Sequence, residues 1–151
     1  PWVYDLRHNL GGDPEKFIVL PNGYDPDDVQ RLPMPAQTGQ FTLTHIGSLY
    51  RNRRPDAFVE AVERLCNSGQ IPRTDLRVQF VGRNTAGKVP DIHPFDIRSY
   101  VPHEQLDRFR SESSVLLLIL DACPENIGTP SGKIYEYIAS NRPILGIVPT
   151  G

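Results

Sequence analysis

Cysteine is nearly absent. Cys66 and Cys123 are the only two in 151 residues, which excludes a disulfide scaffold. No basic excess is present either. The formal net charge is −2, and a nucleic-acid-binding module would show a cationic face. The longest apolar run, Val115 to Leu120, is far short of the roughly 20 residues that span a bilayer. No charged segment followed by an apolar stretch opens the chain, so no signal peptide is visible. Gly-x-Gly-x-x-Gly is missing, which weakens a dinucleotide-binding reading. The chain starts at Pro1 and stops at Gly151 just after an apolar run. It is therefore expected to be a piece of a longer protein.

Proline is abundant. Fifteen prolines are about twice the usual share of roughly 5%. They stand beside dense apolar runs that disordered segments lack, so they read as punctuation of a folded chain. The length suits one domain with a full core.

The order of apolar patterns is the strongest global signal. Phe17-Ile-Val-Leu20 is a short β-prone run, stopped by Pro21-Asn22-Gly23. Residues 24–40 read as a Pro-rich loop. Phe41-Thr-Leu-Thr-His-Ile46 reads as a strand. Pro55 is placed to open a helix, with Ala57, Phe58, Ala61, Val62, Leu65 and Cys66 on one face and Gly69 as its stop. Leu76 to Val81 is a second strand and Phe95 to Val101 a third. Pro102 opens a helix to about Ser111, with Leu106 and Phe109 inward. Residues 114–120 form a continuous apolar strand of the kind buried on both faces of a parallel sheet. Residues 131–141 read as a helix carrying Ile134, Tyr137 and Ile138 on one face, and residues 143–148 as a last strand. Alternating strands and helices predict an α/β fold: a Rossmann-like, doubly wound parallel sheet in three α/β/α layers.

Ligands of such sheets bind beyond the carboxyl ends of the strands. Three loops fall there: residues 47–54, 82–88 and 121–133. The first two are basic, with Gly47, Ser48, Arg51, Arg53 and Arg54 in one and Arg83 in the other. The third runs into a helix N-terminus, where free N–H groups and the helix dipole favour an anion. Gly128, Ser131 and Gly132 let a phosphate approach that backbone, and Thr129 between them is counted with the candidate donor-binding residues. Lys133 stands in the first turn, against the dipole, which makes sense if an anion sits there. Glu136 follows three residues later on the same face. It reads either as an ion-pair partner of Lys133 or as a carboxylate accepting ribose hydroxyls beside it.

Other motifs are weaker. Gly82-Arg-Asn-Thr-Ala-Gly-Lys88 nearly spells a P-loop, but Val89 stands where the magnesium-binding Ser/Thr belongs and Pro90 follows. Asp25-Pro-Asp27 has metal-site spacing but lies among turn residues with no partner ligand in view. Neither cysteine has a Cys/His pattern around it, so no metal site is expected. Cys66 is expected in the core. His45, at a strand end before Gly47, is the best placed histidine for acid–base work; a polar residue in a half-buried strand is an equal reading. His103 is expected on the surface.

Taken in order, these segments resemble the C-terminal, donor-binding domain of GT-B glycosyltransferases, family four-like. Pro21-Asn22-Gly23 followed by Asp25 resembles the element that opens that domain. Thr44-His-Ile-Gly47 with the helix after Arg54, and Gln79-Phe-Val-Gly82, look like its first two strands. Pro130-Ser-Gly-Lys-Ile-Tyr-Glu-Tyr-Ile-Ala-Ser-Asn-Arg-Pro143 looks like its donor-site stretch. The likeness covers nearly the whole chain.

The resemblance implies a lead-in segment over residues 1–40 and a donor-binding domain over 41–151. It implies transfer of a sugar from a nucleotide-diphosphate sugar, retaining and metal-independent, with no cofactor beyond the substrate. Glu136 falls where the family binds the ribose hydroxyls. Arg54 falls where it has a phosphate-binding lysine, and Ser48 where it often has an arginine, a contact that Arg51 or Arg53 would then supply. A sugar-contacting glutamate of the family falls on Gly128, with Glu125 out of register. The expected partners are a nucleotide sugar and an N-terminal acceptor-binding domain outside this sequence, with no nucleic acid and no membrane span in this segment. Such an enzyme is expected in the cytoplasm, or peripheral to a membrane through its missing part, and the fragment alone is expected to be inactive. The alternatives are a non-catalytic nucleotide-binding or assembly module of the same fold, and half of a sugar-nucleotide epimerase.

Overall fold

The computed structural model describes residues 14–16, 18, 20, 22–25, 39–85, 89–120 and 131–148. Five strands form one all-parallel sheet: β1 (Phe41–Ile46), β2 (Leu76–Val81), β3 (Phe95–Arg98), β4 (Val115–Ile119) and β5 (Ile144–Ile147), in the order β3-β2-β1-β4-β5. Three helices connect them: α1 (Asp56–Asn67) after β1, α2 (Leu106–Glu112) after β3 and α3 (Gly132–Ala139) after β4. This is the Rossmann-like α/β fold that the alternation predicts.

The strand alternation separates two cores. Leu117 and Ile119 of β4 join Leu43, Val78 and Phe80 against Val59 and Val62 of α1. Leu116 and Leu118 face the other way, joining Ile46, Val81 and Tyr137, with Leu106, Phe109 and Ile134 packed on them. Because successive side chains of a strand point to opposite faces, the apolar run at 115–119 is covered on both sides.

Most element positions follow the sequence, with shifts at the ends. Pro55 caps α1 rather than starting it, and Gly69, at φ +75°, follows the last turn. Pro102 opens a single 3₁₀ turn, His103–Gln105, and the α-helix starts only at Leu106. The third strand stops at Arg98, which pairs with Val81, the last residue of β2, so residues 99–101 have no partner within β2. Helix α3 ends at Ala139. Asn141, at φ +54°, is in the left-handed conformation that turns the chain into β5. Ile138 does not share the inward face of Ile134 and Tyr137. One residue beyond Tyr137 is about 100° further round the helix, and Ile138 is exposed. Of the β-prone run at 17–20, Ile18 and Leu20 are described; both lie outside the sheet and are exposed.

A buried polar chain ties α2 to the sheet. The Gln79 amide N–H donates to Thr44 Oγ1 at 3.1 Å, while its carbonyl accepts from Arg77 at 2.8 Å. Ser113 Oγ lies 2.6 Å from both Thr44 Oγ1 and the Phe109 carbonyl. A hydroxyl has one proton and a carbonyl can only accept. Ser113 therefore donates to Phe109 and Thr44 donates to Ser113, which requires the Gln79 NH₂ to face Thr44. Each buried group is satisfied.

Candidate functional site

The strand order reverses between β1 and β4. From β1 the chain builds outward through β2 and β3, then returns to β4 on the other side. Open α/β sheets hold ligands at such a point. Here the sheet parts as well. β1 pairs with β2 as far as Ile46↔Val81, but with β4 only at Leu43↔Val115 and Thr44↔Leu116.

Side chains fill the parting. The Ile46 N–H donates to the Tyr137 hydroxyl oxygen at 3.0 Å, and the Ile46 and Leu117 carbonyls each lie 3.5 Å from the same oxygen. Burial pushes the Tyr137 phenol up to about 12, against the opposing pull of the Ile46 N–H, so it stays protonated. His45, fully buried on β1, donates from Nδ1–H to the Leu117 carbonyl at 2.9 Å. That bond fixes the tautomer, leaving Nε2 as a buried acceptor with no partner among the described residues. Burial, with the positive charges of Lys133 and Arg53 adding to it, pulls the imidazole down to about 4. His45 is thus a neutral strut of the parted sheet. It is more deeply buried than a half-buried strand position would be.

The glycine ends of β1 and β2 bring the loops together. Gly47 (φ +141°) donates its N–H to the Val81 carbonyl at 2.8 Å, and Leu49 donates to Arg83 at 2.8 Å. A Leu49–Asn84 bridge and the Thr85 N–H on the Leu49 carbonyl continue the pairing. Gly82 (φ +136°) is needed for close approach: a β-carbon there would sit 2.5 Å from the Gly47 carbonyl oxygen.

Lys133 comes from the opposite side. Its side chain lies directly on Gly47, where a β-carbon would fall on Lys133 Cε and 2.9 Å from Nζ. Partial burial and the nearby Arg53 charge hold the Lys133 ammonium below the usual lysine range, with Glu136 opposing. Lys133 makes no ion pair among the described residues. The N-terminus of α3 has no side-chain cap: Ser131 holds the N-cap position in extended backbone without capping, and no acid stands in the first turn. Asn22, from the Pro21-Asn22-Gly23 element, reaches this helix end. Its Nδ2 lies 2.9 Å from where a β-carbon of Gly132 would be.

The basic residues of the first loop separate. Arg53 is half-buried, stacks over the Tyr50 ring at 5.3 Å, and bears on both Lys133 and His45 through its charge. Its Nε is buried without a partner among the described residues. Arg54 is exposed and forks onto Asp56 at 2.8 and 3.2 Å. Arg51 (φ +51°) and Arg83 are exposed, and Ser48 is half-buried next to Gly47. The cation that joins Lys133 is therefore Arg53. Gly128, Thr129 and the rest of 121–130 lie outside the described residues, as do 86–88 of the near-P-loop and Cys123. Cys66 is half-buried against the α1 core, as expected.

Glu136 does not pair with Lys133. Its Oε2 lies 2.6 Å from Arg110 of α2, a buried guanidinium also held by Asp107 at 2.6 Å. Sequence periodicity does not predict this contact, because it crosses between two helices. The one available signal was an arginine placed where α2 turns toward the sheet. The role of Tyr137 was missed for a similar reason: a tyrosine on an apolar helix face reads as core until its hydroxyl is followed to β1.

No protein-family model matches this chain, and no curated protein matches it. Among the described residues, no helix is long and apolar enough to cross a membrane, and no group of three or more His, Cys, Asp or Glu is gathered as a metal site.

Proposed function

We propose that this chain is the donor-binding half of a glycosyltransferase, taking a nucleotide-diphosphate sugar at the carboxyl ends of β1 and β4. The observation that carries the reading is Lys133 lying on Gly47 at the parted switch point, beside Arg53 and an uncapped helix N-terminus. Transfer from a nucleotide sugar releases a diphosphate, and its growing charge must be met by preorganised cations and N–H donors. Lys133, Arg53 and the N–H groups of Gly132 and Lys133 are groups of that kind. Glu136, one turn along α3, is placed to accept ribose hydroxyls through Oε1, which makes no hydrogen bond among the described residues. Ser48, Ser131 and Gly132 border the same region, while Arg51, Arg54 and Arg83 contribute at most long-range charge. The acceptor site and the cleft for chemistry belong to a second domain.

The test is titration of UDP and GDP followed by amide NMR, with Glu136→Ala and Lys133→Ala as comparisons. The reading expects shifts at Gly47, Ser48 and 131–136, weakened in both variants. Gly128 stands where the family's sugar-contacting carboxylate falls, and this favours a second reading: a module that binds nucleotide without transferring. Nucleotide binding without hydrolysis or transfer of a labelled donor, in the protein joined to its acceptor domain, supports that second reading.

A further inference from the structure

Arg110 is 5% exposed and lies between two carboxylates, Asp107 and Glu136, each 2.6 Å away. Burying a guanidinium is unfavourable unless it is well paired, and its Nε has no partner among the described residues. Arg142, also buried, donates to the Arg110 and Ser111 carbonyls at 3.4 and 3.5 Å, anchoring the end of α2 to the turn before β5. The arrangement has a consequence on α3. Lys133 and Glu136 are three residues apart, a spacing at which opposite charges ordinarily pair. They do not pair here, because Glu136 Oε2 is taken by Arg110.

We infer that Arg110 is a positioning residue: it draws the Glu136 carboxylate away from Lys133, so that the lysine ammonium stays free at the end of β1 and one Glu136 oxygen stays open. Its value to the molecule rests on the anion-binding reading above, but the sorting of charges is a property of the free protein. The groups whose charges bear on Lys133 are Arg53 and Glu136, with neutral His45 nearby. Asp107 stays with Arg110 on α2. Removing the guanidinium releases the Glu136 carboxylate toward Lys133, the ammonium on which its charge already bears.

The chain holds three lysines, Lys16, Lys88 and Lys133, so lysine labelled with ¹³C at Cε is readily assigned. In the wild type the Lys133 signal titrates below the ordinary lysine midpoint. Arg110→Met raises that midpoint, and Arg110→Met combined with Glu136→Gln returns it. In parallel, calorimetry with inorganic pyrophosphate at fixed ionic strength shows Arg110→Met binding about two- to fivefold more weakly, the scale of one partly exposed ion pair. The double variant regains the wild-type affinity. A purely structural Arg110 would not be rescued by changing Glu136. If Arg110→Met does not fold, Arg110→Lys, which lacks the two separate guanidinium nitrogens that reach Asp107 and Glu136, gives the same rise in smaller measure. An unchanged Lys133 midpoint in the folded variant, or a rise that Glu136→Gln does not reverse, overturns the inference whatever pyrophosphate does. A reversible rise with no pyrophosphate binding by the wild type upholds the inference and removes the anion-binding reading instead.

Discussion

Lys133 and Gly47 are in direct contact across the switch point: the lysine's aliphatic end occupies the space a side chain at residue 47 would need. The contact joins β1 to the first turn of α3. It sets a cation over the carboxyl end of the sheet, and it makes the glycine a condition of the site.

Gly47→Ala is therefore expected to act twice. The backbone at φ +141° strains an L-residue by about 1–3 kcal/mol, and the new methyl displaces Lys133. Chemical denaturation measures the first effect, and loss of pyrophosphate binding measures the second. Gly82→Ala is expected to cost at least as much stability, because its methyl meets the rigid Gly47 carbonyl rather than a flexible side chain.

The arginines of the first loop are expected to differ sharply. Arg53→Ala, removing a charge that bears on Lys133, weakens pyrophosphate binding about tenfold or more, the range of a charge-assisted hydrogen bond. Arg54→Ala, removing an exposed side chain already occupied by Asp56, changes it by less than about twofold. Calorimetry on the two variants side by side decides. Equal losses would mean that Arg54 leaves Asp56 for the ligand.

His45 makes stability depend on pH in a defined window. Its folded-state value, about 4, lies below the ordinary 6.5. Above pH 6.5 both folded and unfolded states hold it neutral, and there is no penalty. As pH falls from 6.5 to 4 only the unfolded state takes the proton, so stability is lost, by about 3 kcal/mol across the window, and no further below it. Urea unfolding at pH 7 and pH 4.5 measures this. His45→Asn, which keeps a donor for the Leu117 carbonyl, is expected to flatten the dependence. A wild-type slope that survives the substitution assigns the effect to other groups.

Tyr137→Phe leaves the buried Ile46 N–H without its acceptor, at an expected cost of about 1–3 kcal/mol. Faster hydrogen exchange confined to Ile46 and its neighbours locates the loss at the parting of β1 from β4. A uniform loss of protection would instead show a general loosening of the second core.

Much of this was readable from residue patterns. The run at 115–119 is apolar on both faces, the spacing from Phe58 to Cys66 has one helical stripe, and Gly47 and Gly82 mark two strand ends. Local periodicity carries that information because secondary structure is local. The relationships that build the site are not local. Arg110 meets Glu136 across 26 residues and Tyr137 meets Ile46 across 91. Each depends on which helix crosses which strand. Arg53 and Arg54 are neighbours with the same chemistry, and only Asp56, two residues on, draws one of them away. Phe17 to Leu20 has strand-like composition, yet its described residues, Ile18 and Leu20, lie outside the sheet and are exposed. Strand-like composition reports a fit to a pleated, half-buried surface and does not by itself supply a pairing partner.

The most direct measurement is an amide and lysine-side-chain NMR titration of the chain with UDP and GDP. At least one of them is expected to shift Gly47, Arg53, Ser131, Gly132 and the Lys133 side chain together, and Lys133→Ala to abolish those shifts while the fold is retained. Saturating nucleoside diphosphate with no shift at Gly47 or Lys133 would contradict the donor-binding reading.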